Sequence, residues 1–186
     1  MNKNKNRDLI YIEADLPGMA MLKKDKFKKA GHSDDRHLVI PCDILSENGD
    51  LSIENIAKKY LKPGVPAVII TEGLINYFDM ETLKQIWKRI SNLLALCNGG
   101  VYLSDNLAHK TDHQYYFLVK IWTKMVGLIA RGKFHMHFYS DREAEETFKS
   151  IGFRELNVHH PETYRGILPI FLSAKPSFIN VIEGIV

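Results

Sequence analysis

Ala67-Val68-Ile69-Ile70-Thr71-Glu72-Gly73-Leu74 is the stretch that decides the architecture. Its apolar run is short, β-branched and uninterrupted, the pattern of a strand covered on both faces in a parallel sheet. Asp79 then caps a helix whose apolar residues Leu83, Ile86, Trp87, Ile90, Leu93, Leu94 and Cys97 recur every three or four positions as one stripe. Asn98-Gly99-Gly100 ends that helix, and Val101-Tyr102-Leu103 predicts the next strand, closed by Ser104-Asp105-Asn106.

The same alternation extends in both directions. Upstream, Leu9-Ile10-Tyr11-Ile12 reads as a strand ending in Glu13-Ala14-Asp15. Pro17 starts a helix running to Ala30, and His37 to Pro41 forms a second strand followed by Asp43 and Ile44. A helix is expected over 50–61, capped by Asp50 and ended by Pro63-Gly64. Downstream, 106–130 reads as an amphipathic, aromatic helix. Arg131 to Tyr139 is a loop bearing His135 and His137, and Ser140-x-x-Glu143 opens a helix ending at Gly152. Two late strands, Phe153 to Val158 and Ile167 to Ala174, can form a hairpin that sets an antiparallel strand into the sheet. Strand–helix alternation of this kind builds a mostly parallel sheet with helices on its faces, an α/β fold of Rossmann-like type. The apolar tail Pro176 to Val186 is expected to pack on the domain or on a partner.

Ligands of open α/β sheets bind beyond the carboxyl ends of the strands. The acids collect there: Glu13 and Asp15, Asp43, Glu72 and Asp105. Each is also a residue type common at strand ends and helix caps. As hydrogen-bond acceptors, they suit ribose hydroxyls and amino groups of a nucleotide-like ligand better than acid–base work. No nucleophile elbow, P-loop or zinc-binding H-E-x-x-H occurs, and no G-x-G-x-x-G follows a strand, which argues against a nicotinamide-dependent enzyme.

Three segments carry a family resemblance. Tyr11 to Phe27 (YIEADLPGMAMLKKDKF) resembles the E-x-D-x-P…K segment of the leucine carboxyl methyltransferase family, in its polyketide-type O-methyltransferase branch. His37 to Leu45 (HLVIPCDIL) is similar to its adenine-contacting strand. Val68 to Phe78 (VIITEGLINYF) is similar to its E-G motif, the most specific of the three. The resemblance runs from Tyr11 to Asn106 and is topological beyond. It implies a class I methyltransferase fold that takes S-adenosyl-L-methionine and methylates a carboxylate or hydroxyl of a small molecule or peptide. By the resemblance Asp15 binds the ribose, with Glu13 as rival. Asp43 accepts from the adenine amino group, the Ile44 N–H faces a ring nitrogen, and Glu72 sits at the methionine end. Tyr77, with Tyr116 and His135 of the lid segment 106–139, lines an acceptor pocket. No catalytic residue is assigned and no metal is implied. A hydroxyl acceptor would need a base, for which His135 or His137 is available.

The family's glycine-rich loop would precede Tyr11, where this sequence has Met1 to Ile10 and no glycine. Residues 1–186 are therefore expected to be a single, partial methyltransferase domain lacking its first strand. That strand would lie between the Tyr11 and Val68 strands, so both are expected to lack an ordinary neighbour. A remnant that keeps the fold without catalysis is the alternative, with bare strand edges open to a homodimer.

Composition is that of a globular chain: 186 residues, 45% hydrophobic, net charge +3. Lys3, Lys5 and Arg7, and Lys23 to Lys29, form basic clusters that read as solvated faces, so no nucleic acid or membrane partner is expected. Cys42 and Cys97 stand outside any metal or disulfide spacing and point to a reducing, cytoplasmic compartment.

Overall fold

The computed structural model describes residues 9–31, 35–111, 115–129, 133–167 and 177–186. Backbone contacts divide the chain into two compact units, Met1–Leu61 and Lys62–Val186.

The first unit is a β-α-β-α run: β1 (Tyr11–Asp15), α1 (Pro17–Lys29), β2 (His37–Pro41) and α2 (Ile53–Tyr60). β1 and β2 pair in parallel, Tyr11 opposite His37 and Asp15 opposite Pro41. Pro17 opens α1, where its missing N–H costs nothing. The cap of α2 is Ser52, not Asp50: the Ser52 hydroxyl accepts from the Asn55 N–H at 3.3 Å, and Asp50 instead reaches the Asn55 side chain.

The second unit holds β3 (Ala67–Thr71), α3 (Met80–Leu94), β4 (Gly100–Leu107), α4 (Tyr116–Ile129), α5 (Asp141–Ile151), β5 (Glu155–His159) and β6 (Ile179–Ile185). The sheet order is β3-β4-β6-β5, with β3 and β4 parallel and β6 antiparallel to both its neighbours. The antiparallel insertion expected from the late hairpin is present, but its second strand is the apolar tail at 179–185. The expected strand at 167–174 lies, past Ile167, outside the described residues. The helix expected from 106 starts only at Tyr116, because β4 runs on to Leu107 and keeps those residues in backbone pairing with β6.

Asp79 caps α3, accepting from the Thr82 N–H at 2.8 Å, a bond that holds its carboxyl below the usual range. The α3 stripe buries Leu83, Ile86, Trp87, Ile90 and Leu94 with Tyr102, Phe148 and Phe153. Trp87 and Phe148 lie 4.6 Å apart between ring centroids. Inside this core runs one chain of donors. Trp87 Nε1–H donates to the Tyr102 hydroxyl (3.0 Å), which donates to Thr71 Oγ1 (2.7 Å). Thr71 donates to Ser104 Oγ (2.9 Å), and Ser104 to the Asp105 carbonyl (2.9 Å). Each of the three hydroxyls both accepts and donates, and the chain ends on a backbone carbonyl, which satisfies otherwise costly buried groups.

β3 departs from expectation on burial. Its side chains are not covered on both faces: Val68 is 58% and Ile70 61% exposed. In neither unit does a described strand pair with the second edge of β1 or of β3. Residues 1–8 lie outside the described residues.

Candidate functional site

In the first unit the acids stand at the carboxyl ends of two adjacent parallel strands. Asp15 is the last residue of β1, and Asp43 lies two residues past the end of β2, to which Asp15 is tied through its carbonyl and the Cys42 N–H (2.7 Å). Lys23 from α1 bridges Asp15 (3.1 Å) and Glu13 (3.3 Å). Those contacts, the Asp15 bond first, hold the ammonium above its usual pKa, so it stays charged. The two acids differ in what else they do. Glu13 accepts from His37 at 2.8 Å, within a cluster where His37 also packs on Tyr11 and Phe27. Asp15 accepts from the Leu16 N–H at 2.8 Å, at the open end of the strand. Glu13 is thus engaged in holding β1, α1 and β2 together, and Asp15 is the better placed for a ligand.

Asp43 shapes the following turn: its carboxylate accepts from the Leu45 N–H (3.0 Å), its carbonyl from the Ser46 N–H (2.9 Å). Ile44 is the first residue inside that turn, half-buried. An Asx turn of this type fixes the Asp43 carboxyl beside the strand end and leaves it further lone pairs.

In the second unit, Glu72 follows β3 directly and is exposed. Its neighbour Gly73 has φ of 61°, a left-handed conformation that glycine adopts without strain, and its N–H donates to Asp105 at 2.8 Å. Asp105 therefore fixes the turn that presents Glu72.

Beyond β4 a second cluster forms, and sequence reasoning missed its centre. Asn76, buried, donates to the His135 carbonyl (2.6 Å) and accepts from the Leu107 N–H (3.3 Å), pinning the 133–139 segment against the end of β4. His137 is buried at 4% exposure and meets the Ile75 carbonyl at 3.2 Å. Burial pulls its pKa down, so it is neutral and donates. Its burial keeps it away from solvent. His135 stacks on it at 5.9 Å, half-buried. Tyr77 is exposed and packs edge-on against Phe134 (5.2 Å), which also meets Trp122 of α4.

Tyr116 meets His109 Nε2 at 3.0 Å, and Tyr139 packs on the same imidazole at 4.2 Å. His109 Nδ1 is buried without a hydrogen-bond partner among the described residues. When the Nε2–H donates to Tyr116, Nδ1 presents a bare lone pair, the form of a general base. Asn106 Oδ1 is likewise buried without a hydrogen-bond partner among the described residues, and Asn106 lines a small cleft with Lys110, Tyr139 and Asp141. The sequence signal was the run Asn106-Leu-Ala-His109 directly after Asp105.

Thus the structure places Asp15, Asp43 and Glu72 at strand ends and assigns Glu13 to the β1–α1–β2 cluster. It groups Tyr77 and His135 around Asn76, and Tyr116 with His109. Among the described residues no group of three or more His, Cys, Asp or Glu is placed to hold a metal ion. No described helix is long and apolar enough to cross a membrane.

No family model matches the chain. No curated protein sequence matches it either. Solved structures do match in fold. A candidate O-methyltransferase of Nostoc punctiforme aligns with a TM-score of 0.60 at 14% identity, over 95% of this chain and 45% of that one. Human N-acetylserotonin methyltransferase, solved with S-adenosylmethionine, aligns at 0.55 and 12% identity, over 94% of this chain and 40% of that one. Magnesium protoporphyrin IX methyltransferase of Synechocystis, solved with S-adenosylhomocysteine, aligns at 0.53 and 10% identity, over 95% and 64%. The fold is the Rossmann-like α/β fold of these proteins, and the chain spans 40 to 64% of their lengths.

Proposed function

We propose that the chain is the larger part of an S-adenosylmethionine-dependent O-methyltransferase domain, of the kind its sequence motifs resemble in the leucine carboxyl methyltransferases. The observation that carries this reading is the pair Asp15 and Asp43 at adjacent parallel strand ends, each fixed by a backbone N–H and each with lone pairs left. That donor set fits an adenosine: Asp15 takes ribose hydroxyls, while Asp43 accepts from the adenine amino group and the Ile44 N–H meets a ring nitrogen. Lys23 orients the Asp15 carboxylate. In the second unit, the Gly73–Asp105 turn presents Glu72, to which the family resemblance alone assigns the amino group of the methionine moiety.

When bound, S-adenosylmethionine supplies the methyl group to be transferred. The chain's own contribution is to orient the acceptor and manage its proton. The acceptor is a carboxylate or hydroxyl of a small molecule or peptide, lined by Tyr77 and by Tyr116 and His135 of the 106–139 segment. A carboxylate arrives ionised and needs no base. A hydroxyl needs one, and His109 serves in the tautomer that donates Nε2–H to Tyr116 and keeps the Nδ1 lone pair. A second reading, a remnant keeping the fold, draws support from the edge of β3 that no described strand pairs with and from its exposed Val68 and Ile70.

Calorimetric titration with S-adenosylmethionine and S-adenosylhomocysteine separates the two. Micromolar binding, weakened at least about tenfold in Asp43→Ala by loss of a charged hydrogen-bond acceptor, supports the methyltransferase. No binding to the folded protein leaves the remnant.

A further inference from the structure

α4 is packed the wrong way round for a globular core. At roughly 100° per residue, Tyr116, Val119, Thr123, Val126 and Gly127 share the inner side, where Thr123 and Gly127 are buried. The large apolar residues are on the other side. Phe117 is 71% and Leu128 82% exposed, and Leu118, Ile121, Trp122 and Met125 are exposed with them. Together they span an arc of about 140° with no polar residue in it. Lys120 and Lys124, both exposed, border the arc on one flank. Single exposed apolar side chains are ordinary, but a contiguous arc of this size marks an interaction surface.

Charge selects the occupant. Between Asp112 and Asp141 the sequence contains no acid, while Lys120, Lys124, Arg131 and Lys133 are all basic. A second copy packing on this face through the same helix would set lysine against lysine with no carboxylate from that segment to offset them. An anionic lipid surface offers apolar depth for the arc and negative charge for its flank, and Trp122 suits the boundary between them. We propose that the outer face of α4 docks this protein peripherally onto anionic lipid bilayers, its apolar arc in the acyl boundary and Lys120 and Lys124 at the headgroups. The expectation of no membrane partner was drawn from the basic clusters, which are separate from this face. It is independent of methyl transfer.

The test is co-sedimentation of the full chain with phosphatidylcholine vesicles, with and without 30% phosphatidylglycerol. The protein should pellet with the mixed vesicles, less so in high salt. Phe117→Ser/Leu128→Ser should cut the partition constant at least about tenfold, and each of Lys120→Gln and Lys124→Gln about fivefold on mixed vesicles only. Both apolar substitutions are at exposed positions, so thermal melting should be unchanged. Because Trp87 is fully buried, a blue shift of tryptophan emission on binding reports Trp122 and should vanish in Trp122→Phe while sedimentation persists. Absence of pelleting, or equal pelleting with neutral vesicles, overturns the proposal. So does a protein-concentration-dependent dimer in sedimentation equilibrium that Phe117→Ser/Leu128→Ser abolishes, which would make the face a self-association surface.

Discussion

Tyr102→Phe deletes one oxygen from the middle of the buried donor chain and nothing else. Tyr102 is wholly buried, so water does not replace the lost partner. The Trp87 Nε1–H, also fully buried, loses its acceptor at 3.0 Å, and Thr71 Oγ1 loses its donor at 2.7 Å while still donating to Ser104. An orphaned buried donor costs about 1–3 kcal/mol, whereas Thr71 keeps one bond and costs less. The sum is about 2 kcal/mol, or about 8 °C in Tm at roughly 4 °C per kcal/mol for a chain of this size. Thr71→Val should cost about half as much, because Tyr102 still accepts from Trp87. Chemical denaturation at pH 7 gives both values. The pH dependence is an independent readout. Burial raises the Tyr102 pKa above its unfolded value near 10. The stability tied to its protonated form is therefore complete below about pH 10 and is lost as pH rises toward the folded value. Tyr102→Phe should flatten that alkaline decline. A Tm loss under about 2 °C with an unchanged alkaline limb would refute the donor chain as a stabilising element.

Three further outcomes follow from the geometry. His137, whose pKa burial lowers, contributes stability that is present above about pH 6.5 and lost as pH falls through its folded value. His137→Gln should flatten the decline below pH 6.5 in pH-dependent melts. Gly100→Ala would set a Cβ 2.6 Å from the Leu94 carbonyl oxygen, where α3 meets β4, and should cost about 2–3 kcal/mol by urea titration. With a phenolic acceptor, His109→Gln should lower kcat at least about 100-fold while cofactor affinity stays unchanged, and a carboxylate acceptor should be indifferent to it. Equal losses with both acceptors would mean that His109 is structural.

Much of this protein was legible before any coordinates. Strand and helix identities came from local pattern: the apolar run Ala67–Thr71, the α3 stripe and the acids closing β1, β2 and β3 all lie where periodicity and caps put them. These are short-range properties, fixed by the pleat, the helical repeat and the residue type at an end. Which strand fills the antiparallel place was not legible, because Ile167–Ala174 and Ile179–Ile185 are equally strand-like and only pairing with β4 distinguishes the second. The same holds for the site. The residue types at Asp15, Asp43 and Glu72 announced acceptors, but the engagement of Glu13 with Lys23 and His37, the burial of His137 and the bare nitrogen of His109 depend on neighbours distant in sequence. The outward-facing apolar arc of α4 shows the limit most plainly. Periodicity identifies a helix and its apolar side, but which side meets the core is decided by what the rest of the chain packs against it.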